Sequence, residues 1–267
     1  MRPPTPETFR GLARSSPWRW RTLSFELHRR PLHGPDHAVV GTVQRPGRLR
    51  VVAPSGEVQE VVERLPGTEV DAVTGMRRGA GAPVPYAWEL PVVIDADGLV
   101  VRRPRRVSTA DDPMWQDYQF VAMLDPVELA DGVPRRPGLH GDPDAVSPPA
   151  LDVVRVDSTT RLGRPTWWAE VSPRADYDPR CGCCPLLFGR VSEELEAAAG
   201  GPRMSDGRPD LEYATAYLVA LDVQTGVCVH VQHLDGSFAG RGFSLDVLGV
   251  DDQVDLGPGP PGPLTRS

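Results

Sequence analysis

The 267-residue chain contains no lysine and no asparagine, and Ile94 is its single isoleucine. All three residue types have AT-rich codons, so their scarcity reads as the imprint of a GC-rich genome. The 29 basic residues are all arginine and for that reason say little about function on their own. A basic face is missing as well: the formal net charge is -7. That excludes a general nucleic-acid binder and suits a protein that resists self-association. No stretch approaches the roughly 18–20 apolar residues of a membrane-spanning helix. The N-terminus, MRPPTPETFRGLARSSPWRW, lacks the apolar core of a signal peptide. A cytoplasmic location is expected, or an exported one if a signal precedes the written start. No phosphate-cradling glycine loop is evident, because GRGF and GAGAP lack the strand-to-helix context such a loop needs.

What is present is a dense pattern of strands. A first helix is expected near residues 5–16, with Thr5 as cap, Pro6 in the first turn, Glu7 at the positive end, and Ser15, Ser16 and Pro17 ending it. Alternating apolar residues then predict strands over WRWRTLSFELH, AVVGTVQ, RLRVVA and EVQEVVE, with a bend near Thr22. WELPVVI and GLVVRR read as a hairpin across Asp95-Ala96-Asp97-Gly98. Two mid-chain helices follow, capped by Asp112 and by Asp125, the latter with Glu128 in a capping box. Residues 131–150 read as a Pro/Gly-rich linker. LDVVRV and PTWWAEV are strands, EELEAAA is a helix capped by Ser192, and YATAYLVALDV, VCVHVQHL and GFSLDVLGV are the strongest strands. Residues 257–267 read as a disordered tail. Short connections make the sheet antiparallel. The expected class is α+β, one large curved antiparallel sheet with helices covering one face.

Two stretches carry a resemblance. The first helix, a Trp-containing strand and GTVQRPGRLRVVAPSGEVQEVV lie at about residues 5–62, and the hairpin LDVQTGVCVHVQHLD with a closing GVDDQVD lies within 210–255. The pattern resembles the bacterial outer-membrane lipoprotein carrier family and its half-barrel relatives, among them the sensor that controls an envelope-stress anti-sigma factor. The resemblance implies an incomplete β-barrel over residues 1–256, lidded by helices, whose hollow binds acyl chains. It also implies that Arg45, in the Arg-Pro-x turn, helps hold the lid. The expectation is a non-enzymatic protein, carrier or sensor, holding a lipid-like or other apolar ligand. Trp18, Trp20, Phe25, Arg45, Trp115, Tyr118 and Trp168 would line the hollow. The alternatives are a ligand-free module that contacts a protein partner in a regulatory role, or a metal or thiol site.

That last alternative comes from RCGCCPLLF. Cys181 and Cys183 are two apart, so an extended backbone aims both at one metal, whereas Cys184 points away unless the loop turns. Zinc favours four N or S ligands, and Cys228 and His230 share a face if their strand alternates regularly, with His233 opposite. A Cys181/Cys183/Cys228/His230 zinc site is therefore one reading. Others are a disulfide from Cys228 to the cluster, a catalytic thiol with His230 or His233 as base oriented by Asp178 or Asp222, and a plug packed on Pro185, Leu186, Leu187 and Phe188. Arg102, Arg103, Arg105 and Arg106 form a basic run that binds an anion or ends a strand in solvent. Asp111 and Asp112 either hold a cation or cap a helix.

Overall fold

The computed structural model describes residues 3–62, 84–103, 109, 111–133, 147–254 and 256. Arg105, Arg106, most of the expected linker and the expected tail lie outside them. In chain order the elements are α1 (Pro6–Arg19), β1 (Thr22–Arg30), β2 (His37–Gln44), β3 (Arg48–Val52), β4 (Val58–Val62), β5 (Val93–Ile94), β6 (Val100–Arg102) and α2 (Tyr118–Leu124), then β7 (Leu151–Arg161), β8 (Arg164–Pro173), α3 (Arg190–Ala198), α4 (Met204–Gly207), β9 (Tyr217–Asp222), β10 (Cys228–His233) and β11 (Gly242–Val250). Nine strands form one antiparallel sheet in the order β4-β3-β2-β1-β11-β10-β9-β8-β7, open at both ends, while β5 and β6 form a separate hairpin. The class is α+β, as the strand pattern predicts. β1 and β11 pair at the centre, so the two halves of the chain meet there. Among the described residues no helix is long and apolar enough to cross a membrane.

The helices lie on one face. Phe9, Leu12 and Ala13 of α1 and Phe120 and Met123 of α2 join Leu23, Phe25 and Leu27 of β1 and Val219 and Leu221 of β9 in a single buried cluster. The Phe25 and Phe120 rings stand 5.7 Å apart. Apart from Ala13, each of these side chains contributes about 1.5–3 kcal/mol by leaving water.

The helix boundaries differ from the sequence pattern, and at α1 and α2 the difference traces to long-range bonds of Arg45. α1 runs through Pro17 to Arg19, so Trp18 sits in the helix, Trp20 is its C-cap, and β1 begins only at Thr22. A proline deprives the helix of one donor, but here the end of the helix is held from outside. Nη1 of Arg45 donates to the carbonyls of Ser16, Pro17 and Trp20 at 3.3, 3.1 and 3.2 Å. α2 begins at Tyr118 with Asp117, not Asp112, as its cap, because Asp112 is engaged by Arg45. Asp125 and Glu128 flank and enter a single 3-10 turn, Val127–Leu129, that has no side-chain cap. α3 has Gly189 at its N-cap, and Ser192 one turn in bonds back to the Gly189 amide at 3.0 Å. The expected bend in the first strand appears as a bulge at Ser24/Phe25 in the pairing with β11.

Arg45 ties the end of α1 and Asp112 to the β2–β3 turn. Its side chain is 0% exposed. It forks onto Asp112 with Nε–Oδ1 at 2.8 Å and Nη2–Oδ2 at 2.7 Å, and its guanidinium lies 3.4 Å from the centre of the Trp20 ring. Removing one partner of a buried pair strands the other charge and costs about 3–5 kcal/mol. Arg45→Ala is therefore expected to lose about that much in urea unfolding at pH 7. Arg45→Lys should also lose stability, since an ammonium cannot fork. A loss below about 1 kcal/mol for the alanine variant, the value of an exposed pair, would refute this role.

Candidate metal centre

The residues expected to line a hollow do not gather round one. Trp20, Phe25, Arg45 and Trp115 are buried, and Trp115 packs on Phe120 with centroids 5.9 Å apart and bonds Gln59 at 2.9 Å. Tyr118 is 39% exposed. Trp168 packs on His230, 5.0 Å between centroids. Only Trp18 of the seven reaches the 390 Å³ cavity lined also by Leu90, Arg103, Asp125, Glu128 and Arg180. That cavity lies immediately behind the cysteine loop, and its charged walls are mutually paired.

The pairs form a chain. Arg103 forks onto Asp125 at 2.6 and 3.0 Å and also donates to the Arg14 carbonyl. Arg103 is thus an internal tie, not an anion site. Arg180 bridges Asp111 and Asp125, the latter at 2.9 Å. Asp111 and Asp112, expected to hold a cation or cap a helix, each take an arginine instead. Burial alone would push Asp125 up, but Arg103 and Arg180 outweigh it and hold its carboxyl low.

Glu128, which the sequence pattern reads as a capping residue, is the anchor of the cysteine loop. Its Oε2 accepts from the Arg180 amide at 2.9 Å, and its Oε1 accepts from the Leu186 amide at 2.8 Å and from the Tyr177 hydroxyl at 2.6 Å. One buried carboxylate thus holds both flanks of residues 181–185. Tyr177 in turn accepts from the Leu187 amide at 3.2 Å, and Gln119 of α2 donates to the Pro185 carbonyl at 2.9 Å. Burial raises the Glu128 carboxyl, although the three donors pull the other way.

Between these fixed ends the chain turns sharply, and Cys184 comes round to join Cys181 and Cys183. The Sγ atoms of Cys181 and Cys183 are 3.0 Å apart, those of Cys183 and Cys184 3.6 Å, and all three lie within 4.8 Å of one another. Cys183 is exposed and its two neighbours are half-buried. Burial opposes ionisation at Cys181, but the hydrogen bonds from the neighbouring thiols lower its pKa on balance, while burial and the same neighbours raise Cys183 and Cys184.

The structure does not bring Cys228 or His230 to this cluster. Cys228 is wholly buried in the core and burial pushes its thiol up. Its strand is not regular. Cys228 pairs with Leu221 and His230 with the adjacent Ala220, so an extra residue is inserted between them. Adjacent strand residues point to opposite faces, and the bulge therefore places Cys228 and His230 on opposite faces. All four cysteines are free thiols. His233 stacks edge-on against Tyr217 at 4.9 Å, and Asp222 is taken by the Arg164 fork and the Thr225 amide, so it orients neither histidine. Asp178 lines the cavity.

No family model, curated protein or solved structure matches this chain. The functional reading therefore rests on the loop and its supports.

Two measurements probe these supports. In Glu128→Ala the amides of Arg180 and Leu186 lose a charged acceptor worth about 1.5–3 kcal/mol. Hydrogen exchange in peptides spanning 178–188 should quicken by at least about tenfold. Unchanged protection would mean that the loop is held by something else. His230 and His233 are both lowered to about 4, chiefly by burial, with Arg161 adding to the effect at His230. A histidine held below its unfolded pKa of about 6.5 contributes stability that is complete above pH 6.5 and lost as pH falls towards 4. His230 packs its ring on Trp168, which a phenyl ring can replace without titrating, so His230→Phe should lose less stability than the wild type between pH 7 and 4.5 in urea unfolding. Equal losses would show that His230 is not an acid-sensitive group of the fold.

Proposed function

We propose that the protein is a non-enzymatic binding protein whose centre is the Cys181–Cys183–Cys184 loop, and that the loop binds a thiophilic metal ion. The carrying observation is the convergence of three Sγ atoms within 4.8 Å in a loop whose two flanks are fixed by one carboxylate. Thiolates favour zinc and copper(I) over hard cations. With a metal–sulfur bond of about 2.3 Å, tetrahedral geometry places ligand sulfurs about 3.8 Å apart. The spacings of 3.0 and 3.6 Å are within reach of that by rotation about the Cα–Cβ bonds. Binding would release the thiol protons, so affinity would rise with pH.

Fixed flanks favour this reading energetically, because ordering a free loop would consume part of the binding free energy. An apolar ligand is the weaker reading, since the expected lining residues are spread over the core, the helix-bearing face and the surface. The sheet would then act as a rigid scaffold for the loop.

Protein purified without chelator should carry one equivalent of zinc or copper by elemental analysis, and Cys183→Ser should lose it. Adding the metal at 100 times its Kd should stabilise the wild type by about 2.7 kcal/mol and the variant much less. A metal-free wild type that gains no stability from either ion would overturn the proposal.

A further inference from the structure

We propose that Glu196 of α3 supplies a fourth, oxygen ligand beside the three thiolates, and that this Cys3Glu set is built for zinc. The inference rests on the metal reading of the loop and adds the ligand that completes it. Gly182, between Cys181 and Cys183, lies directly against α3. A Cβ at that position would come within 2.9 Å of both Oε2 and the amide nitrogen of Glu196. On the other side Gly201 leaves room for the same carboxylate, which would have to move aside for a Cβ there. The Glu196 carboxylate thus lies at the root of the cysteine loop, outside the 4.8 Å group of the three Sγ atoms but close enough that its charge reaches Cys183, and a turn of its side chain would carry it to a metal held there.

The carboxylate has nothing else to do there. Glu196 is half-buried, and among the described residues no hydrogen bond or ion pair reaches its side chain. Its neighbours behave otherwise. Glu193, one turn earlier, is bonded by Ser205 and Tyr213, and Glu128 has three donors. A cation between it and the thiolates would give it a charged partner.

The donor set selects the ion. Zinc accepts three sulfurs and a carboxylate oxygen in a closed tetrahedral site. The formal charge of four anionic ligands and one dication is then that of a four-cysteine zinc site. Copper(I), a softer ion satisfied by sulfur alone, gains nothing from the carboxylate.

The test is chelator competition with zinc and with copper(I), on the wild type and on Glu196→Ala, with circular dichroism confirming the fold. Zinc should bind the variant about 10- to 100-fold more weakly, the size of loss that follows removal of a supporting ligand-shell group, and copper(I) should bind both alike. Infrared difference spectra of the wild type on zinc addition should show one carboxylate band shifting, a readout that does not depend on the variant. Equal zinc affinity in the two proteins, or no carboxylate shift, overturns the role of Glu196 while leaving the thiol site intact. A wild type that takes neither ion overturns the site and Glu196 with it.

Discussion

The guanidinium of Arg45 shapes more of this molecule than any other group. It has no contact with solvent, so every donor must find a protein acceptor. Asp112 accepts from Nε and Nη2, and the carbonyls of Ser16, Pro17 and Trp20 surround Nη1. Several features follow from that requirement. The end of α1 is anchored to the β2–β3 turn. Asp112 is withdrawn from helix capping, and α2 starts five residues later than expected, with Asp117 as its cap. Asp111, its neighbour in the chain, is delivered to Arg180. A side chain between β2 and β3 is thereby connected, through two adjacent aspartates, to the residue that opens the cysteine loop.

From Arg180 the connections continue inward. Its guanidinium meets Asp125, which also receives Arg103, and Arg103 returns to the Arg14 carbonyl of α1. Its amide meets Glu128. The loop is therefore supported mainly from the helix face, with Tyr217 of β9 donating to the Phe188 carbonyl just beyond it. A buried charged network of this kind restrains its members, and removing one partner from it is expensive. That is the physical content of a preorganised site: the supports are locked before any ligand arrives.

The sequence was most legible where the signal is local. The hairpins at Asp95–Gly98 and at Asp222–Gly226 are turn chemistry confined to a few residues, and both are present. The large antiparallel sheet follows from strand periodicity and short connections. The charged ties were not legible, since nothing near Asp112 in the chain announces a guanidinium 67 residues away. The bulge at Cys228/His230 was equally hidden, because a one-residue slip leaves the alternation of VCVHVQHL intact. Glu128 carried a capping-box signal that misdirected its role. Glu196 carried none beyond its place in EELEAAA, where Glu193 is already turned inward.

The contrast between Cys228 and the loop cysteines explains why a cluster had to leave the sheet. On a strand a lone thiol is buried among apolar neighbours, its ionisation suppressed, and it acts as a small hydrophobe. Strand alternation sends positions 183 and 184 to opposite faces, so three thiols at 181, 183 and 184 cannot converge on regular backbone. They converge only where the chain turns within those residues. Gly182 permits the turn because a side chain there would strike α3, and Pro185 closes it with its carbonyl held by Gln119. The order CGCCP is thus a local solution to a geometric problem: it brings three sulfurs to one point within five residues, and it needs a fixed frame, supplied by Glu128 and α3, to hold them there.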